Sequence, residues 1–217
     1  MKKIASILFF VASLFNFSLY HASIAEEINN DANFIKFQKG VDAVKEKNYE
    51  IAADIFEELA LAGDMDAQFN FAILTRNGLG RAQNYSVALY WTWLSFAGGL
   101  EKANKVLEKI LELVPDESHQ DLREKVSLFI LERINSGDRE ALMHMGKYYL
   151  DILADADYNK SYLFYSIASA FSESGAKEKR DEILLEVDND KIVELQSQAS
   201  LMFEKLRKGE KIEMLKD

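Results

Sequence analysis

Glycine recurs at Gly63, Gly99, Gly137 and Gly175, at spacings of 36, 38 and 38 residues. A period of that length restricts a chain to stacked supersecondary units, each burying its apolar face against the next. Three of the four glycines are followed four residues later by alanine, at Ala67, Ala103 and Ala141, and the fourth by Lys179. The register reaches further: Tyr49, Ala52 and Gly63 return as Tyr85, Ala88 and Gly99, and Tyr85 and Ala88 correspond to Tyr158 and Ser161. Within a unit, Ala52, Ile55, Phe56, Leu59 and Ala60 stand at i, i+3, i+4, i+7 and i+8, the spacing of an amphipathic helix. No segment of comparable length alternates with period two. Helices are expected to end where these glycines take a left-handed conformation, with Asp64 and Asp138 capping the helix that follows. The pattern predicts helix pairs at 33–46 with 49–62, 65–77 with 84–98, 101–113 with 118–135, 138–152 with 157–173, and 177–187 with 190–208.

The N-terminus follows a different rule. Met1, Lys2 and Lys3 make a basic start, Ile4 to Tyr20 is apolar apart from Ser6, Ser13, Asn16 and Ser18, and Ser23-Ile24-Ala25 sets small residues before Glu26. This reads as a secretory signal peptide over 1–25, cleaved before Glu26. An uncleaved anchor helix is the alternative, near the lower length limit for a bilayer span. Residues 26–217 are then one solenoid domain, in units of about 33–63, 64–99, 100–137, 138–175 and 176–209.

The chain has no cysteine, which excludes disulfides, thiolate metal sites, a cysteine nucleophile and a lipoprotein cysteine, so packing alone must hold the fold. Cleavage would remove Lys2 and Lys3 and no acid, leaving 24 basic against 36 acidic residues. So acidic a chain disfavours nucleic acid and anionic membrane surfaces and favours basic protein partners.

The units resemble a known family. Gly40, Ala43, Tyr49, Ala52, Phe56 and Leu59 look like a tetratricopeptide repeat. Residues 67–80, with Gly78-Leu79-Gly80, followed by Asn84, Tyr85, Ala88, Trp91 and Ser95 to Gly99, resemble a Sel-one-like repeat, its relative with a longer inter-helix turn. Ala43 to Tyr49 is six residues, whereas the equivalent Thr75 to Tyr85 is ten. The unit at 138–175 matches through Ala141, Gly146, Tyr149, Asp157, Tyr158 and Ala168, while the unit between has Val114-Pro115-Asp116 at its turn, and the last is polar. The resemblance implies an all-α, right-handed α-α solenoid of about five helix pairs. It also implies a protein-binding role, in adaptors and regulators of the bacterial envelope.

Ingredients for catalysis are sparse. His119 and His144 lie on different predicted helices without a paired ligand motif, and read as packing or surface histidines. Asp188-Asn189-Asp190 lacks the glycine and glutamate of a calcium loop, and Gly78-Leu79-Gly80 follows no strand and precedes no Gly-Lys-Ser/Thr. Trp91 is expected in the core, while one of Tyr90 and Trp93 could face solvent. No cofactor and no metal are expected.

In a helix-pair solenoid the first helix of each pair lines the inner surface. That projection puts Phe34, Phe37 and Val41 there in the first unit, Phe69, Ile73, Arg76 and Asn77 in the second, and Met143, Lys147 and Asp151 in the fourth. Such a mixed groove suits a peptide, with aromatic and methionine anchors and charges setting register. The alternative is that Phe34, Phe37 and Phe69 close the N-terminal core. The expected function is a non-catalytic periplasmic adaptor or regulator of an envelope protein. Alternatives are a secreted, host-interacting protein and, on analogy with a cysteine-rich branch, a cell-wall or beta-lactam enzyme, against which stand the absent cysteine and serine-lysine motif.

Overall fold

The computed structural model describes residues 32–214, so the signal segment at 1–25 lies outside the described residues. Ten α-helices and no strand run through them. They are α1 (32–45), α2 (Tyr49–Leu61), α3 (Met65–Asn77), α4 (Tyr85–Ala97) and α5 (Lys102–Leu111), then α6 (His119–Asn135), α7 (Ala141–Asp151), α8 (Tyr158–Ala170), α9 (Ala176–Ile183) and α10 (Ile192–Arg207). Most of the helices pack on a neighbour in sequence, the arrangement of an α-α solenoid. None is long and apolar enough to cross a membrane.

Local chemistry explains where the helices begin. Asp64 accepts from the Ala67 N–H at 2.8 Å, Asn84 from Val87 at 3.0 Å and Asp157 from Lys160 at 2.8 Å. Each side chain satisfies one of the donors that a helix start leaves unpaired. Asp138 reaches Ala141 N–H at a longer 3.3 Å.

Helix ends follow the expected left-handed turn, with one correction. Gly63, Gly99 and Gly137 have φ of 98°, 91° and 102°. Behind them the Asp64, Leu100 and Asp138 amides donate to the Leu59, Ser95 and Arg133 carbonyls, which closes each helix in a Schellman turn. In the fourth unit the equivalent bond runs from Glu173 N–H to Ala168 C=O, and the left-handed residue is Ser172, φ 65°. Gly175 instead opens α9. The register mark is therefore Ser172, and Ala176, four residues on and fully buried, matches Ala67, Ala103 and Ala141. Lys179 falls outside the alanine pattern because Gly175 is not the equivalent glycine. A left-handed serine carries a steric cost that glycine does not. Ser172→Gly is expected to stabilise the protein by about 0.5–1 kcal/mol, read as a higher urea midpoint; an unchanged or lower midpoint would contradict the assignment.

The core runs between the two helix layers, and small residues set the helix spacing. Ala52, Ala88 and Ser161, at equivalent positions, are fully buried, as are Phe56 and Phe164 to within 1%. The Ser161 hydroxyl donates to Gly146 C=O at 2.9 Å and that of Ser95 to Met65 C=O at 2.8 Å, so these buried hydroxyls are satisfied. The long turn of the second unit folds back on α2: the Arg81 guanidinium meets Asp54 at 2.5 Å and Glu57 at 2.9 Å.

The third unit departs from the others. Pro115 and a 3-10 turn at Asp116–Ser118 separate α5 from α6, and α6 packs on α4 and α7 more than on its own partner α5. Trp93 is buried in that α4–α6 seam. Its ring lies edge-on to His119 and under the Arg123 guanidinium. Trp91 is core as expected, and Tyr90 is the half-buried member of the cluster, edge-on to Phe129. At the other end the chain returns along α6, where the Asn135 side chain accepts from Ile212 N–H and donates to Ile212 C=O.

Candidate functional site

The turns between units line one edge of the solenoid, and two clefts open along it. The larger, about 860 Å³, is walled by Gly99 and Glu101 at the α4–α5 turn, by Glu140, Met143 and Lys147 at the start of α7, and by Glu173 before α9. The smaller, about 440 Å³, lies between Phe34 and Phe37 of α1, Asp64 and Asp66 at the α2–α3 turn, and Arg133. Glu140 lines both, so the clefts adjoin.

Between them stands a polar node built on Arg133. Its Nε and Nη2 donate to Asp138 Oδ2 at 2.9 and 2.5 Å, and its Nη1 donates to His144 Nδ1 at 3.1 Å. The guanidinium lies so close to Gly63 that a Cβ there would stand 2.6 Å from the arginine Cζ. Gly63 thus serves both a left-handed turn and the approach of a side chain two units away. Burial, reinforced by the Arg133 charge and opposed by Asp138, pushes the His144 imidazole down to about 4. With Nδ1 accepting from a permanent cation, the neutral ring carries its proton on Nε2.

Charges in the larger cleft are unevenly matched. Lys147 is held by Asp151 at 2.6 Å and over the Phe96 ring at 4.1 Å. Arg139 donates to Leu206 C=O at 2.7 Å and covers the Phe171 ring, and Lys179 pairs with Glu182 at 2.9 Å. Glu101, Glu140 and Glu173 have no ion-pair or side-chain hydrogen-bond partner among the described residues. Burial, then the negative charges of Glu140 and Asp138, raises the Glu173 carboxyl above the usual range, against Arg139.

The sequence-derived residues divide. Phe34, 64% exposed, and Phe37, packed on Phe56 at 5.4 Å, line the smaller cleft; Met143 and Lys147 line the larger, with Asp151 beside Lys147. Phe69 is half-buried beneath the Lys102 ammonium, 4.9 Å from the ring, and Lys102 also pairs with Asp66. Ile73 is half-buried in mid-helix. Arg76 and Asn77 lie at the far end of α3 beside the long turn, where Gln83 donates to Arg76 C=O. Neither belongs to a cleft on the turn edge. The projection runs along whole helices, whereas these two clefts lie at one end of them.

Other residues were missed. Lys105 and Lys109 on α5 are exposed and unpaired among the described residues. They hold the register of Phe69 and Ile73 in the unit before and of Met143 and Lys147 in the unit after. Adding the period to Phe69 and Ile73 finds them. Glu101, Glu140, Glu173 and His144 had no such signal, because what groups them is the meeting of three turns.

Among the described residues no group of three or more histidine, aspartate or glutamate side chains is arranged to hold a metal ion. No protein-family profile matches the chain, and no curated protein matches its sequence significantly.

Proposed function

We propose that this chain is an exported Sel-one-like repeat protein that works without catalysis, as an adaptor or regulator, by holding a segment of an envelope protein along its turn edge. The observation that carries this is the pair of adjoining clefts, about 860 and 440 Å³, sharing Glu140 and offering apolar anchors at Phe34, Phe37 and Met143 among charged groups. A solenoid exposes a long continuous surface by construction, and an extended segment lying along it can fill one cleft with each anchor side chain. Phe34, 64% exposed, is the kind of aromatic that interfaces bury. A periplasmic location rests on the N-terminal signal pattern, and the acidic balance favours basic protein partners over nucleic acid.

In-cell cross-linking tests the reading. Phe34→Ala and Met143→Ala should each reduce the yield of specific cross-linked species. Arg76→Glu, far from the clefts, should leave it unchanged. A cross-link profile indifferent to both cleft substitutions would sink the proposal. Separation of periplasm from medium decides between a resident envelope protein and one exported onward.

A further inference from the structure

We propose that the C-terminal strap, residues 209–214, fills a recognition track along α6 whose other occupant is an extended segment of a partner protein with apolar side chains two positions apart. This surface is separate from the turn-edge clefts, so the two readings stand or fall independently.

The strap shows what the track reads. Past Gly209 the chain is no longer helical, and its side chains alternate: Ile212 is buried, 4% exposed, and Met214 packs on the core, while Lys211 and Glu213 are exposed. Extended backbone has that period of two. Asn135 uses both halves of its amide on the Ile212 main chain, Oδ1 accepting from N–H at 2.9 Å and Nδ2 donating to C=O at 3.0 Å. Main-chain groups are the same in every residue except proline, so this clamp fixes register without choosing a sequence. Selection is left to the two apolar side chains.

The strap is also built to leave. Helix α10 is finished before it begins: Gly209 has φ of 76°, Glu210 N–H donates to Lys205 C=O, and Arg139 holds Leu206 C=O at 2.7 Å. Lifting the strap therefore unravels no helix. Beyond Glu210 the Asn135 clamp is its sole hydrogen-bonded hold among the described residues, and neither Lys211 nor Glu213 has an ion-pair partner among them. A terminus held this lightly opens without global unfolding.

The track, moreover, outruns the strap. Met214 borders one side of a cavity of about 590 Å³ that continues along α6 past Ser127 and Glu124 to Gln120, with Tyr148 and Tyr158 on the opposite wall. Of the described strap, Met214 alone lines it. A partner segment running on from the Met214 position gains those walls, which offsets the advantage the strap has from being tethered.

Fluorescence anisotropy on the purified protein tests this, with a labelled peptide of residues Lys208 to Met214 as the probe. The parent, its track filled, should bind the probe weakly. Ile212→Asp/Met214→Asp, whose own strap no longer seats, should bind it at least about tenfold more tightly. Adding Asn135→Ala to that variant should undo the gain, as should aspartate at the Ile212 position of the probe. Alanine at the probe's Lys211 and Glu213 positions should leave binding as it was. In the parent, the Ile212 amide should exchange with solvent at least about tenfold faster than those of Ile130 and Ile134 in α6. Equal binding by parent and strap variant, indifference to Asn135→Ala, or equal protection of those amides would each overturn the proposal. So would loss of the helical circular-dichroism signal in the strap variant, since the strap would then belong to the core. A parent dimer dissolved by the strap substitutions would give the track to the tail of a second copy instead, and overturn the partner assignment.

Discussion

Gly80→Ala is expected to lower stability by about 3 kcal/mol or more, shifting the thermal midpoint down by roughly 6–12 °C for a chain of this size. A Cβ at position 80 would stand 2.0 Å from Tyr49 O, 2.4 Å from its carbonyl carbon and 2.7 Å from Glu50 N. All three are backbone atoms at the start of α2, so no side-chain rotation relieves the overlap. The turn would have to lift away, and it is tied down by Arg81 to Asp54 and Glu57. Alanine would also inherit a φ of +68°, which disfavours any Cβ. Gly137→Ala is the matched comparison: φ is +102° but nothing lies within 4 Å of the added Cβ. That variant should lose only the conformational term, about 1–2 kcal/mol. Urea unfolding of both proteins measures the difference. Equal losses would mean that the long turn does not pack on α2 as described.

That contrast also marks what the sequence could and could not disclose. Left-handed glycines at 63, 99 and 137 were readable because a helix end needs the same backbone in every unit, and a need that repeats leaves a repeating residue. Helix positions were readable for the same reason, since Ala52 and Phe56 face a core that every unit shares. Ser172 was not, because serine can be driven left-handed by the Glu173–Ala168 hydrogen bond, while the nearby Gly175 mimicked the signal. The seam between α4 and α6 was hidden too: it forms because the Pro115 turn parts α6 from α5, and no local pattern states where a parted helix will lie. The cleft was the least legible. Glu101, Glu140 and Glu173 come from three separate turns, and their common property, lack of a partner, exists only once the neighbouring cations have been placed. Position alone could suggest Met143 and Lys147; only the packed structure could separate them from Arg76 and Asn77.

A second large effect concerns acid. The fold holds His144 neutral, with its proton affinity lowered from the ordinary 6.5 to about 4, mainly by burial and then by the Arg133 charge. The unfolded chain therefore binds more protons than the folded one between roughly pH 6.5 and 4, and stability must rise with pH across that window. The contribution is fully present above pH 6.5, falls by about 1.4 kcal/mol for each pH unit below it, and is exhausted near pH 4, a total of about 3 kcal/mol. Other groups add their own slopes. Asp181, Asp188 and Glu204, lowered by hydrogen bonds from basic neighbours, lose stability on the acid side, and Glu173, raised by burial, acts in the opposite sense. Comparison with His144→Gln removes these, since glutamine does not titrate and its amide oxygen can still accept from Arg133. At pH 7.5 that variant should be less stable by about 1–2 kcal/mol, the cost of repacking a buried site. Between pH 6.5 and 4.5 its urea midpoint should fall less steeply than that of the parent, so the two curves converge. Parallel curves would show that His144 becomes protonated in the folded state, and with it would go the neutral Nε2 donor that the cleft presents.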